Sequence, residues 1–343
     1  MDRQAHPGRG LGRGPDPELR GSVRIGILTS GGDAPGMNAA IRAVVRVAAS
    51  REWIVAGIRR GFSGLIQGEL VELTPRAVAN VLQRGGTILK TSRSPEFLEP
   101  ESRERARAVL EENELSAVVA IGGDGTLKGA HELAKIWRGR VVGVPATIDN
   151  DLSGSDDTIG FDTALDTALD AIDKIRDTAA SHERLFLVEV MGRHSGFIAL
   201  GVGTAGGAED IFVPEVATDL DACSKHLVEA RKRGKAMSIL IVAEGEHEGG
   251  AFAVAEKLKA KTGFESRVTV LGHIQRGGSP TARDRILATK LGAFAVEAIS
   301  EGKTDVMVGE VAGRLTTTPL EETWTRKKAL DPFLLKLIPI LAR

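Results

Sequence analysis

Residues 117–129, AVVAIGGDGTLKG, pass in one step from a short β-rich apolar run through a glycine turn into a helix-compatible stretch. Ala117 to Ile121 is too short for a buried helix and has the composition of a strand covered on both faces. The same order recurs along the chain. Val23–Thr29 (VRIGILT), Val141–Val144 (VVGV), Leu185–Val190 (LFLVEV) and Ser238–Ala243 (SILIVA) read as further buried strands, with amphipathic stretches between them. Leu165, Leu169, Ile172 and Ile175 form one apolar stripe at the 3.6-residue period, the pattern of a helix lying on a sheet. Strands alternating with helices imply an α/β fold with largely parallel sheets, in which ligands gather outside the carboxyl ends of the strands.

The polar signatures fall at those ends. After Val23–Thr29 come Ser30, Gly31, Gly32, Asp33, Ala34, Pro35, Gly36, Met37 and Asn38, then a helix through Ala39, Ile41, Val44 and Val45. Glycines at a strand-to-helix turn let backbone N–H groups approach a phosphate, with the helix dipole adding to the attraction. A purely structural turn would use the same residues. The stretch is neither a Walker A, which needs Gly-Lys-Ser/Thr, nor a dinucleotide GxGxxG. The second turn, Gly122 to Thr126 with Gly129 beyond it, places an acid, Asp124, inside the cradle. A carboxylate there repels a phosphate unless Mg²⁺ lies between them, so Asp124 points to a metal-bridged polyphosphate. A helix N-cap is its alternative reading.

The third turn, residues 145–151 (PATIDND), pairs Asp149 with Asp151. Beside a metal-phosphate, one carboxylate can serve as base for an attacking hydroxyl and the other can anchor metal-bound water. Capping of the loop by Asx turns is the alternative. Arg184 precedes a strand, Met191, Gly192 and Arg193 follow it, Glu244 ends another, and Arg267, His273, Gln275 and Arg276 flank or follow Val268–Leu271 (VTVL). A sugar phosphate requires arginine forks for its phosphate and carboxylate or amide groups for its hydroxyls, and this inventory holds both. Taken singly, the arginines suit a solvated surface and His273 suits a structural role.

Bulk properties narrow the class. A chain of 343 residues is long enough for two packed domains. A net charge of -1, from 45 basic and 46 acidic residues, gives no reason to expect nucleic acid or an anionic membrane as partner. No stretch approaches the roughly 18 apolar residues of a membrane span. Cys223 is the only cysteine, which excludes an internal disulfide and fits the cytoplasm. Residues 1–22 hold almost no apolar side chains and no apolar signal core, so a disordered tail is expected, with a misassigned start as the alternative.

GILTSGGDAPGMN, RGGT, IGGDGT, PATIDND, SHERLFLVEVMGR, AEG and VLGHIQRGGSP follow one another over roughly residues 23 to 320, and this series resembles the bacterial phosphofructokinases of the ATP-dependent type. NAD kinases and lipid kinases share only the GGDGT. The resemblance implies two similar three-layer α/β/α domains. Residues 23–158 plus about 275–325 would form the nucleotide-binding domain, and about 159–274 plus 326–343 the sugar-phosphate-binding one. It also implies phosphorylation of the 1-hydroxyl of fructose 6-phosphate by MgATP, in a homo-oligomer, a tetramer as the family usually is.

By position, Asp149 resembles the catalytic base, with Thr147, Arg93 and Gly32 completing the catalytic set. Gly32, Arg93, Asp124, Gly125, Thr126 and Gly129 resemble the ATP site, with Asp124 toward the metal. Thr147, Asp149, Asp151, Met191, Gly192, Arg193, Glu244, His273 and Arg276 resemble the sugar-phosphate site, and Arg184 and Arg267 look like arginines that reach it from a neighbouring subunit. Arg42, Arg46, Arg176, Glu209, Arg233 and Lys235 resemble an effector site, in which Pro75 replaces an expected arginine. Pyrophosphate-dependent relatives typically carry Asp at position 125 and Lys at position 146. Gly125 and Ala146 therefore favour ATP over the alternative of a pyrophosphate enzyme. Phe62 and Leu98 depart from the Tyr and Arg common beside the nucleotide. A silent, regulatory homologue is a further alternative, against which Asp124, Asp149 and Arg93 stand together.

Overall fold

The structure, a computed structural model, describes residues 23–182, 184–235 and 237–341, and the tail expected at 1–22 lies outside the described residues. Among these the chain forms β1 (Arg24–Thr29), β2 (Ile54–Ile58), β3 (Leu70–Glu72), β4 (Ala117–Gly122), β5 (Arg140–Pro145), β6 (Leu185–Val190), β7 (Asp210–Phe212), β8 (Ser238–Ala243), β9 (Ser266–Val270), β10 (Val306–Val311) and β11 (Arg314–Pro319). They make a seven-stranded sheet of order β11-β10-β5-β4-β1-β2-β3 and a four-stranded sheet of order β7-β8-β6-β9. Pairing is parallel throughout except for the edge strands β3 and β11. The β10–β11 hairpin turns at Ala312 and Gly313, both with positive φ (49° and 74°), the geometry that matches the twist of its strands.

Alternation along each strand decides the layers. In β4, Ala117, Val119 and Ile121 face one core and Val118 and Ala120 another. The outer core of the large sheet takes Leu65, Leu110, Leu127 and Leu133 from helices Gly61–Ile66, Pro100–Glu112 and Asp124–Ile136. On the small sheet, Leu185, Leu187, Leu240 and Val242 face an outer core filled by helices Leu220–Lys232 and Gly250–Thr262. The inner faces of both sheets enter one continuous apolar layer, which holds Ile41 and Val44 of helix Met37–Ser50, Ala164, Ala168 and Ile172 of helix Phe161–His182, and Leu291 of helix Ala282–Ser300. The carboxyl ends of β1, β4, β5, β6 and β8 consequently lead their loops to a common region between the two sheets.

Candidate active site

Those loops enclose a cleft of about 500 Å³ lined by Gly31, Gly32, Asp33, Arg93, Gly123, Asp124, Gly125, Thr126, Ala146, Thr147, Asp149, Asp151, Arg193, His194, His273 and Arg276. The three motif loops, read separately in the sequence, share its walls.

The loop after β1 is pinned by Ser30 N–H to the Ile121 carbonyl (3.1 Å), Gly31 N–H to the Ser92 carbonyl (3.2 Å) and the Thr91 hydroxyl to the Gly31 carbonyl (2.8 Å). A Cβ on Gly32 would lie 2.7 Å from Arg276 Nη1, so only glycine lets that guanidinium approach the loop. Helix Met37–Ser50 begins past this loop, its N-cap Gly36 packed on Ile159. Helix Asp124–Ile136 starts at the second turn, whose Gly123, Asp124, Gly125 and Thr126 line the cleft, and places its N-terminal dipole there.

Asp124 is not an N-cap acceptor: Gly123 precedes the helix and no side-chain cap bond forms. Its Oδ2 holds Lys128 Nζ at 2.9 Å, while its Oδ1 is buried without a partner. Thr126 is consumed in structure, its hydroxyl donating to the Ser30 carbonyl at 2.9 Å. Gly129 is not among the residues that line the cleft, and a Cβ there would meet the ring of Phe62 at 2.7 Å. That ring is buried and stacks on Phe97 at 4.2 Å, whereas Leu98 is 73% exposed.

In the third loop the closing bond is made by Asn150, to a residue eight positions on rather than the two of an Asx turn. Asn150 Oδ1 accepts from Thr158 N–H at 3.0 Å, the Thr158 hydroxyl donates to the Thr147 carbonyl at 2.6 Å, and Asp149 N–H donates to Thr147 Oγ1 at 3.2 Å. Asp149 Oδ1 is buried with no hydrogen-bond partner. Burial first, and then the charge of Asp151, push the Asp149 carboxyl up to about 6, against the pull of Arg276 and Arg193. Asp151 is also raised, by burial and by Asp124. Two acids, one carrying an unsatisfied oxygen and a value close to neutrality, are what proton abstraction at neutral pH requires.

The small sheet's loops close the other wall. Met191 N–H donates to Oε1 of the wholly buried Gln275 (2.9 Å), Arg193 N–H donates to Glu244 Oε1 (2.7 Å), and the Ser195 hydroxyl donates to the Asp149 carbonyl (2.7 Å). Ser195 and Asn150 were missed in the sequence, and Gln275 was named in the sugar-phosphate inventory without a role of its own. His273 is exposed and faces the cleft, so its structural alternative does not hold. Arg184 and Arg267 do not line this cleft. Arg184 precedes β6 and Arg267 is the second residue of β9, both at strand starts, about 20 Å and about 10 Å from their strands' carboxyl ends at a strand's usual rise.

Of the effector set, Glu209 is buried, pairing with Lys235 Nζ at 2.9 Å and accepting from Ile239 N–H. Arg176 donates to the Gly206 and Gly207 carbonyls. Arg42 and Arg46 lie one turn apart on helix Met37–Ser50, and Arg233 is exposed just past helix Leu220–Lys232.

No three acids, histidines or cysteines cluster as a metal cage among the described residues. Mg²⁺ does not demand one, since it is commonly held by one or two carboxylates together with substrate phosphates and water. The unpartnered Oδ1 of Asp124 fits that kind of site.

Residues 24–299 match the phosphofructokinase family. An ATP-dependent 6-phosphofructokinase of Thermus thermophilus is 60% identical over 319 residues, covering 93% of this chain and 99% of its own length. One from Thermotoga petrophila is 49% identical over 319 residues, with the same coverage of both chains. Among solved structures, Pichia pastoris phosphofructokinase in the T-state superposes with a TM-score of 0.84 at 38% identity, covering 90% of this chain and 36% of that one. A pyrophosphate-dependent phosphofructokinase from Marinobacter aquaeolei gives a TM-score of 0.79 at 22% identity over 92% of this chain and 91% of that one, a likeness of fold.

Proposed function

The chain belongs to the phosphofructokinase family, and from that premise we propose that it transfers the terminal phosphoryl group of ATP to the 1-hydroxyl of fructose 6-phosphate. The observation that carries the chemistry is the partnerless, buried Oδ1 of Asp149 at the floor of the cleft, with its carboxyl raised to about 6. Asp149 takes the proton of the 1-hydroxyl, that oxygen bonds to the terminal phosphorus, and the bond from phosphorus to the β-phosphate oxygen breaks to release ADP. Asp124, with its unpartnered Oδ1, would hold Mg²⁺, which would supply positive charge against that developing on the transferred phosphoryl group. Arg93 and the Gly32 loop face the transferred group, and Thr147 orients Asp149. Thr126 and Gly129 shape the ATP site from behind.

Met191, Gly192, Arg193, Glu244, His273 and Arg276 bind the sugar phosphate, with Asp151 beside them. The large sheet with helix Ala282–Ser300 then serves as the nucleotide half, and the small sheet with helix Pro332–Leu341 as the sugar-phosphate half. The placement of Arg184 and Arg267 at strand starts supports their serving the cleft of a neighbouring copy, which makes the active species a homo-oligomer. No helix among the described residues is long and apolar enough to cross a membrane, and a cytoplasmic home agrees with the solitary buried Cys223. The Arg42, Arg46, Arg176, Glu209, Arg233 and Lys235 group is assigned to an effector.

The decisive assay couples fructose 1,6-bisphosphate formation to a spectrophotometric readout, with ATP or pyrophosphate as donor. ATP with Mg²⁺ should support turnover and pyrophosphate should not. A preference for pyrophosphate would overturn the donor assignment.

Arg184→Ala or Arg267→Ala should raise KM for fructose 6-phosphate about 10- to 100-fold, the value of a lost charge-assisted contact, with KM for ATP nearly unchanged. Mixing Arg267→Ala with Asp149→Asn should regenerate part of the activity in hybrid oligomers. Subunit exchange without recovery would count against a shared site.

A further inference from the structure

The segment after β11 carries no motif, yet it delivers a cation to the loop between Asp149 and Asp151. Lys328 Nζ lies 2.8 Å from Asn150 Oδ1 and 2.6 Å from the Asp156 carbonyl oxygen, and 5.2 Å from the centre of the Phe197 ring. Asn150 is 3% exposed and has φ of +52°, the left-handed region that Asn tolerates better than most side chains. Its amide already closes the loop on itself: Oδ1 accepts from Thr158 N–H and Nδ2 donates to the Asp156 carbonyl at 3.3 Å. Lys328 grips both acceptors of that closure at once.

We propose that Lys328 is a positioning residue for phosphoryl transfer: it locks Asn150 in its left-handed turn and thereby fixes the carboxylates of Asp149 and Asp151 on either side. The inference rests on the reading of Asp149 as the base.

Three observations favour a charged clamp over a simple tether. A half-buried ammonium is unfavourable unless its donors are bonded, and here two of its donors go to oxygens of one catalytic loop. Burial draws the lysine down to about 8 although Asp157, Asp156 and Asp151 oppose the fall, so it still carries most of its charge at pH 7. The third contact, Phe197, opens helix Phe197–Ala205 on the inner face of the small sheet, so one side chain links the loop that carries Asp149 and Asp151 to an element of the other sheet.

The test uses the full chain, with wild type and Asp149→Asn assayed alongside so that a failure of the base assignment is seen separately. Lys328→Met should lower kcat about 10- to 100-fold, as expected when a reacting group loses its orientation, while KM for ATP changes less than about twofold. Lys328→Cys should be equally impaired, and alkylation with 2-bromoethylamine, which rebuilds an ammonium of nearly the lysine length, should restore most of kcat. Selective labelling is expected because Cys223 is buried and its thiol is pushed above the ordinary range by burial and by Asp210. A Lys328→Met enzyme with kcat within about twofold of wild type would overturn the proposal. So would a Lys328→Cys enzyme that stays impaired after complete aminoethylation verified by mass. Failure of both variants to fold would make Lys328 a structural tether and overturn it equally.

Discussion

Asp149→Asn is expected to lower kcat by about 10² to 10⁴, the usual range for loss of a general base, with KM for fructose 6-phosphate within a few-fold of wild type. The side chain is nearly isosteric, and Asp149 Oδ1 has no partner to lose. In the wild type, kcat/KM should fall as pH drops through about 6, where the carboxyl takes up its proton. The residual rate of the variant should lack that limb. Stability should move the opposite way. A carboxyl raised from 3.8 to about 6 by folding has its protonation-linked stabilisation complete below pH 3.8 and lost above about 6, so the native protein carries an unfavourable charge at pH 7. Asn removes it, and Tm at pH 7 to 8 should rise by roughly 2–6 °C, with the gain vanishing toward pH 4. Turnover within tenfold of wild type would sink the assignment, and an unchanged Tm difference across pH would sink its electrostatic cause.

Gly125→Asp should abolish most ATP-dependent turnover, by about 10²-fold or more, because it sets a carboxylate where the nucleotide's phosphates pass. The structure makes this a clean experiment. A Cβ at Gly125 meets nothing within 4 Å, and the residue lies in the first turn of helix Asp124–Ile136, where an acid favours the helix. The variant should therefore fold with an unchanged Tm, and its defect should reside in the donor. Pyrophosphate, lacking the nucleoside, should be harmed least, so the ratio of ATP to pyrophosphate activity is the diagnostic quantity. The companion change Ala146→Lys, attractive on sequence grounds, is poorer. Ala146 borders the cleft but is wholly buried and packed in the inner core, so a lysine there must shift its packed neighbours to be accommodated. Retention of ATP activity in Gly125→Asp would refute this reading of the donor site.

Strands buried on both faces were legible as apolar runs, and β6 and β8 fall on the expected residues, because burial leaves little compositional freedom. The edges were not. β3 and β7 are three residues each, and β10–β11 alternates apolar and polar residues around Ala312 and Gly313, a weaker signal that went unread. The acids and glycines of the site were visible because phosphate chemistry demands them at strand ends. Asn150, Ser195 and Lys328 were not. Their positions matter through partners far away in the chain, 178 residues apart for Lys328 and Asn150 and 46 for Ser195 and Asp149, and one-dimensional spacing carries no such information. Gly129 shows the reverse. It matched a family position, yet its local reason is the ring of Phe62.

The apolar layer that runs unbroken between the two sheets has a consequence for how such a chain can change over time. Each sheet owns its outer helices, but the inner helices answer to both, since Ile41, Ile172, Ile198 and Leu291 belong to a single packed body. Neither half is then a cassette. A recombinant that joined the nucleotide half of one protein to the sugar half of another would meet along this layer, where a mismatch of even one methylene is felt. New specificities are more accessible through the loops at the strand ends, which can be exchanged above a foundation that stays whole.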